Sequence, residues 1–176
     1  MPNYRRLHQP GATWFFTVTL AQRNNNSLLM DHVDRLREAF RHVRQRHHFT
    51  IDAIVVMPDH LHCLWTLPDG DTDNATRWRL LKGHFSRSVI PTEHRSQSRL
   101  KRRERGIWPR RFWTHWITDQ EDFNRHVDYI HWNPVKHGLV QRATDWPYSS
   151  IHRYIARGDY PPDWGFEGHF GTAFGE

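Results

Sequence analysis

The chain has 176 residues, which is room for one ordinary domain with a real core and too little for two. Its 25 Lys and Arg outweigh 19 Asp and Glu, for a formal net charge of +6, and its single cysteine, Cys63, excludes an intramolecular disulfide framework and a Cys-rich zinc module. A mean hydropathy of −0.85 would suit a disordered chain, but nine Trp and ten Phe argue against one, and no apolar run approaches the ~20 residues of a membrane span.

Arg5 and Arg6 precede a short apolar stretch at 12–21 that loosely imitates a signal peptide. The stretch is Thr-interrupted and alternating, so it reads as a strand over 13–20. Asp31 is placed to N-cap a helix to about residue 48, with Asp34 at the third position and Val33, Leu36, Phe40 and Val43 at helical spacing. Residues 49–57 form a β-rich run. Pro58-Asp59 makes a turn, and 60–67 alternates as a second strand, which together suggest a hairpin. A helix is expected over 75–90, with Trp78, Leu81, Phe85 and Val89 on one face. Residues 95–111 are a run of basic side chains, and 108–117 is an aromatic strand candidate. Asp119 caps a further helix that Pro134 is expected to stop. The order β-α-β-β-α-β-α predicts an α+β fold of the ferredoxin-like or RRM-like kind, with helices on a largely antiparallel sheet. Residues 1–143 are expected to form the working domain, with 144–176 as a tail packed on it.

Two groups of residues carry possible chemistry. On a strand, His60 and His62 project from one face and can share a divalent ion, while Leu61 and Cys63 turn to the other. In a chain with 15 histidines, chance alone gives about one His-x-His pair, so a plain surface strand is the bland alternative. On the last helix, Tyr129 and Asn133 lie one turn apart, beside a core stripe of Phe123, Val127 and Ile130. A helical Tyr is most often half-buried core. As chemistry, its hydroxyl is a possible nucleophile toward phosphorus, with a cation to stabilise charge. Asn133 can complete a mixed N/O shell with His60 and His62, which suits Mg²⁺ or Mn²⁺ better than a closed zinc site.

These stretches resemble a known family. Met57-Pro58-Asp59-His60-Leu61-His62 resembles the HUH motif, two histidines around a bulky apolar residue. Tyr129-Ile130-His131-Trp132-Asn133-Pro134-Val135 is similar to the segment that carries the single catalytic tyrosine of HUH transposases. Tyr4-Arg5-Arg6, Trp14-Phe15-Phe16-Thr17, Trp108-Pro109-Arg110-Arg111-Phe112-Trp113 and Asp145-Trp146-Pro147-Tyr148-Ser149-Ser150 resemble one branch of it, the REP-associated tyrosine transposases. The likeness covers nearly the whole chain. It implies that His60 and His62 hold a metal that grips the scissile phosphate, and that Asn133 stands where relatives carry a third ligand, often Gln. It further implies that Tyr129 attacks single-stranded DNA near REP-type hairpins, stays joined to the 5′ phosphate and releases a 3′-OH.

Phosphate contacts are expected from Arg5, Arg6, Lys82, Arg87, Arg102, Arg103, Arg110 and Arg111. Trp108, Trp113 and Trp116 could stack on unpaired bases, although core is the expectation for at least two of them. His115 and His131 could meet DNA or the site, but nothing in the sequence assigns them. With no apolar helix face left over, a monomer is expected, with the dimer of the wider family as the alternative. The expected setting is the reduced cytoplasm, at the nucleoid, with no membrane association. Two other readings compete. One is a non-catalytic single-stranded nucleic-acid-binding module on an RRM-like fold, although no good RNP1 match is present. The other is a small metal-dependent hydrolase that leaves no protein–DNA adduct.

Overall fold

The structure is a computed structural model that describes residues 9–91, 93 and 95–165. Strand β1 (Thr13–Thr19) is β-branched and aromatic throughout. It sits inside a four-stranded antiparallel sheet with β2 (Thr50–Val56), β3 (His60–Thr66) and β4 (Trp113–Trp116), in the order β2-β3-β1-β4. That order, with helical connections from β1 to β2 and from β3 to β4, is the expected ferredoxin-like α+β arrangement. The β2–β3 hairpin closes over Pro58-Asp59, where Met57 N–H donates to His60 O at 2.8 Å.

Alternation along the strands builds two cores. Trp14, Phe16 and Val18 of β1 and Leu61, Cys63 and Trp65 of β3 face a helix layer. That layer is α2 (Val33–Arg46), through Leu36, Phe40 and Val43, and α3 (Asn74–Ser88), through Trp78, Leu81 and Phe85. Each large side chain fully buried here contributes on the order of 2–3 kcal/mol relative to exposure. Phe15, Ala53, Val55 and Leu64 face the other way, toward Val127 and Ile130 of α5 (Gln120–Lys136). The residues after α5 run back along β2. Val56 N–H donates to Tyr148 O, Trp146 Nε1 donates to Val56 O, and α6 (Ile151–Ala156) follows.

Four local expectations are corrected. Asp31 does not cap the first long helix. It ends a short helix, α1 (Leu28–Asp31), where its carboxylate accepts from Ser27 Oγ, and α2 starts after His32. The basic run contains its own short helix, α4 (Gln97–Lys101). Strand β4 begins only at Trp113, because Pro109 has no N–H for a ladder, and Trp108 and Phe112 pack on the α2/α3 core instead. Pro134 does not stop α5. It falls in the last turn, where one missing N–H is tolerated. The helix ends at Gly138, which adopts a left-handed φ of +67°. There Gly138 N–H donates to Val135 O and Leu139 N–H to Pro134 O, the paired bonds of a Schellman stop.

Candidate active site

His60 and His62 leave one face of β3, a central strand, and the β1 register sets Thr19 and Thr17 opposite them. Both rings are buried, with their centres 5.0 Å apart. Each is fixed through Nδ1. His60 Nδ1 donates to the Asp59 carboxylate at 2.6 Å, and Arg23 Nε donates to the other Asp59 oxygen at 2.6 Å. His62 Nδ1 meets Thr17 Oγ1 at 2.9 Å, and Phe15 stacks on the His62 ring. Where Nδ1 carries the proton, as the Asp59 carboxylate requires of His60, Nε2 keeps the lone pair a metal ligand needs.

The electrostatics support that state. Burial pushes His62 well below the ordinary imidazole range, and repulsion from a protonated His60 or His137 and from Lys136 and Arg23 adds to it. Burial pushes the Asp59 carboxyl up, but its bonds from His60 and Arg23 outweigh that and hold it below the usual carboxylate range.

Helix α5 brings a stripe to the same face. The half-buried Tyr129 ring lies edge-on to His62, with centres 5.1 Å apart. Lys136 Nζ lies 5.1 Å from the Tyr129 ring centre, and the His137 ring lies 5.2 Å from that of His60. Asn133, one turn beyond Tyr129, is fully buried, and neither atom of its amide has a hydrogen-bond partner among the described residues. An amide is rarely buried in that way unless something else satisfies it. The two imidazoles and an amide oxygen would make a mixed N/O donor set, a chemistry that fits a hard divalent cation.

The expected DNA-binding residues are scattered. Arg5 and Arg6 lie outside the described residues. Lys82 and Arg87 stand on α3, across the sheet from the histidine pair, and Lys82 Nζ sits 4.9 Å from the Phe112 ring centre. Arg102 and Arg103 are exposed after α4. Arg111 is exposed before β4, and Arg110 is exposed and paired with Glu104. Ile107 O accepts from Ala21 N, so this basic loop reaches the end of the sheet where His60 lies.

Sequence reasoning missed Thr17, Asp59, Arg23, Lys136 and His137. Lys136 and His137 continue the Tyr129/Asn133 stripe at helical spacing, and Asp59 adjoins His60, so those signals were present. Arg23 comes from a loop and left none. His115 and His126 stack at 4.7 Å and share the buried Asp122, a group whose ligand atoms lie within 4.8 Å of one another. His131 is buried against Ser150 Oγ at 2.8 Å.

The chain is similar to several known proteins. The sequence profile of the family described as "Transposase IS200 like" matches residues 15–133, a span that includes His60, His62, Tyr129 and Asn133. A REP-associated tyrosine transposase of Escherichia coli is 46% identical over 164 residues, covering 93% of this chain and 91% of that protein. A counterpart from Haemophilus influenzae is 45% identical over 167 residues, covering 94% of each. A solved structure of a REP-associated tyrosine transposase bound to a REP hairpin superposes with a TM-score of 0.83 at 41% identity, covering 100% of this chain and 98% of that one. The chain belongs to the IS200-like transposases, and within them to the REP-associated tyrosine transposases.

Proposed function

We propose that this transposase cuts single-stranded DNA at or near REP-type hairpins through Tyr129, and holds the 5′ phosphate as a phosphotyrosine until a 3′-OH rejoins it. The observation that carries this reading is the convergence of Tyr129 with the His60/His62 pair on one face of the sheet, with Asn133 one turn further along the same helix. The hairpin bound to the similar solved structure supports the choice of target.

His60, His62 and Asn133 would hold Mg²⁺ or Mn²⁺, which when bound polarises the scissile phosphate and offsets its negative charge. Tyr129 Oη attacks phosphorus. The Oη–P bond forms as the P–O3′ bond breaks. The phenolic proton passes to solvent, and the departing 3′ oxygen gains one. Lys136 supplies positive charge beside the phenol, where negative charge builds on the phosphoryl group. The Asp59 and Thr17 bonds keep both imidazoles in one orientation. One phosphoester replaces another, so the bond energy is kept and rejoining needs no ATP. Phosphate contacts from Arg102, Arg103, Arg110 and Arg111, whose loop reaches the His60 end of the sheet, supply affinity that falls with salt.

Covalent capture tests the reading. The protein is mixed with labelled single-stranded DNA that carries a hairpin and flanks from beside its own gene, with Mn²⁺ or EDTA, and run on a denaturing gel. An adduct that needs the metal and is lost in Tyr129→Phe is the expected result. Tight binding without an adduct would support a binding module instead, and cleavage without an adduct would support a hydrolase.

A further inference from the structure

Four large apolar side chains are exposed among the described residues, and Trp113 is the one aromatic, with 55% of its surface open to solvent. It occupies a telling row of the sheet. Thr17 of β1 pairs with His62 on one side and with Trp113 on the other. Directly opposed residues of antiparallel strands project from the same face. Trp113 therefore shares the face and the row of His62, two strand spacings away, roughly 9.5 Å.

The indole is held in place from behind. His115 stacks on it nearly parallel, at 7° with centres 6.0 Å apart, and His115 is itself tied to Asp122 and stacked on His126. Phe15 meets the indole edge-on at 5.6 Å and also contacts the rings of His62 and Tyr129. The indole thus belongs to one continuous aromatic surface that runs from solvent to the histidine pair. Trp108 and Trp116 lack this role, because both pack on the opposite, α2/α3 side of the sheet.

We infer that Trp113 is a stacking platform for one unpaired base of the DNA strand, a nucleotide or two from the phosphate held at His62. The inference rests on the strand-transfer reading for its occupant. An exposed indole with one backed side offers a π-face to any base, and the roughly two-strand separation fits a base flanking the cut. Stacking there would set how far the hairpin lies from the cleavage point.

Fluorescence anisotropy tests this without relying on cleavage. The full-length Tyr129→Phe protein binds a labelled hairpin oligonucleotide with its single-stranded flank, and abasic sites are introduced one position at a time. Adding Trp113→Ala is expected to weaken binding about tenfold or more, the equivalent of one lost base stack. One abasic position should cause the same loss in the protein that keeps Trp113, and no further loss in the Trp113→Ala protein. Trp113→Phe should restore most of the affinity. A loss below about twofold, or losses from Trp113→Ala and from every abasic position that simply add, would overturn the inference. The same coupling in a protein that never forms an adduct with Tyr129 intact would keep the stacking site and reject the strand-transfer reading. An adduct formed normally without any coupling would do the reverse.

Discussion

Asn133 is a residue whose position makes little sense for stability alone. A buried polar group left unpaired costs about 1–3 kcal/mol, and both ends of this amide are unpaired. Asn133→Leu keeps a similar volume and removes the polar atoms. It is expected to stabilise the metal-free protein by about 1 kcal/mol, or about 2–4 °C for a chain of this length. The same change should abolish stabilisation by Mn²⁺ and lower adduct formation at least tenfold. Thermal melts in Mn²⁺ and in EDTA check it, and a variant that is weaker in EDTA yet still stabilised by Mn²⁺ would count against Asn133 as a ligand. At this scale, the spacing of His60 and His62, and of Tyr129 and Asn133, was legible because strand and helix periods fix which side chains share a face. Arg23 was not legible, because its approach to Asp59 depends on how the loop after β1 folds back.

The helix α5 is the element that turns those spacings into a site, and both of its ends are defined. Asp119 accepts from Asp122 N–H at 2.8 Å at the start, as its position in the sequence suggested. The far end was misread, since proline is an ambiguous stop. Within the final turn it removes one bond that the turn can lose, and the left-handed residue decides where the helix ends. Gly138 has open space where a Cβ would sit, so Gly138→Ala carries backbone strain and no clash. The expected loss is about 1 kcal/mol, or about 2–4 °C, with the Lys136 and His137 end of the stripe loosened. A melt unchanged within error would show that the stop does not depend on glycine. The same limit affected β4: an aromatic run signals burial, and only tertiary context decides between a ladder and rings packed on a helix.

Among the described residues, the shifted histidines all move one way. His62, His84, His126, His131 and His137 are each held below the ordinary imidazole range, with burial the largest cause. His131 is the clearest case, pushed down to about 3 by burial and then by Arg153 and His152. A histidine depressed in the folded state binds fewer protons than in the unfolded chain between those two values. For His131 stability is therefore lost as pH falls from about 6.5 toward 3, by on the order of 1.4 kcal/mol per unit, and the other four act in the same direction. Asp122 behaves differently. Burial raises it, but bonds from His115 and Thr118 N–H and the nearby His126 bring it down to about 2. Its contribution is present above about 3.9 and lost only toward pH 2. Chemical denaturation between pH 7.5 and 4.5 is expected to show steadily falling stability, with a flatter profile in His131→Gln. A flat profile in the unsubstituted protein would refute this. The sequence displayed the abundance of histidine, but burial exists only once the layers close, so the direction of the shifts was not readable from it.

The histidine pair owes its position to sheet register. A slip of one residue along β3 would turn Leu61 and Cys63 toward α5 and bury both imidazoles among the side chains of α2 and α3. A sheet with β3 out of register would therefore not present the pair to Tyr129, which arrives on a helix more than sixty residues later. The strand cleavage proposed for Tyr129 would therefore be tied to one register of β3 on β1, the one that sets His62 opposite Thr17.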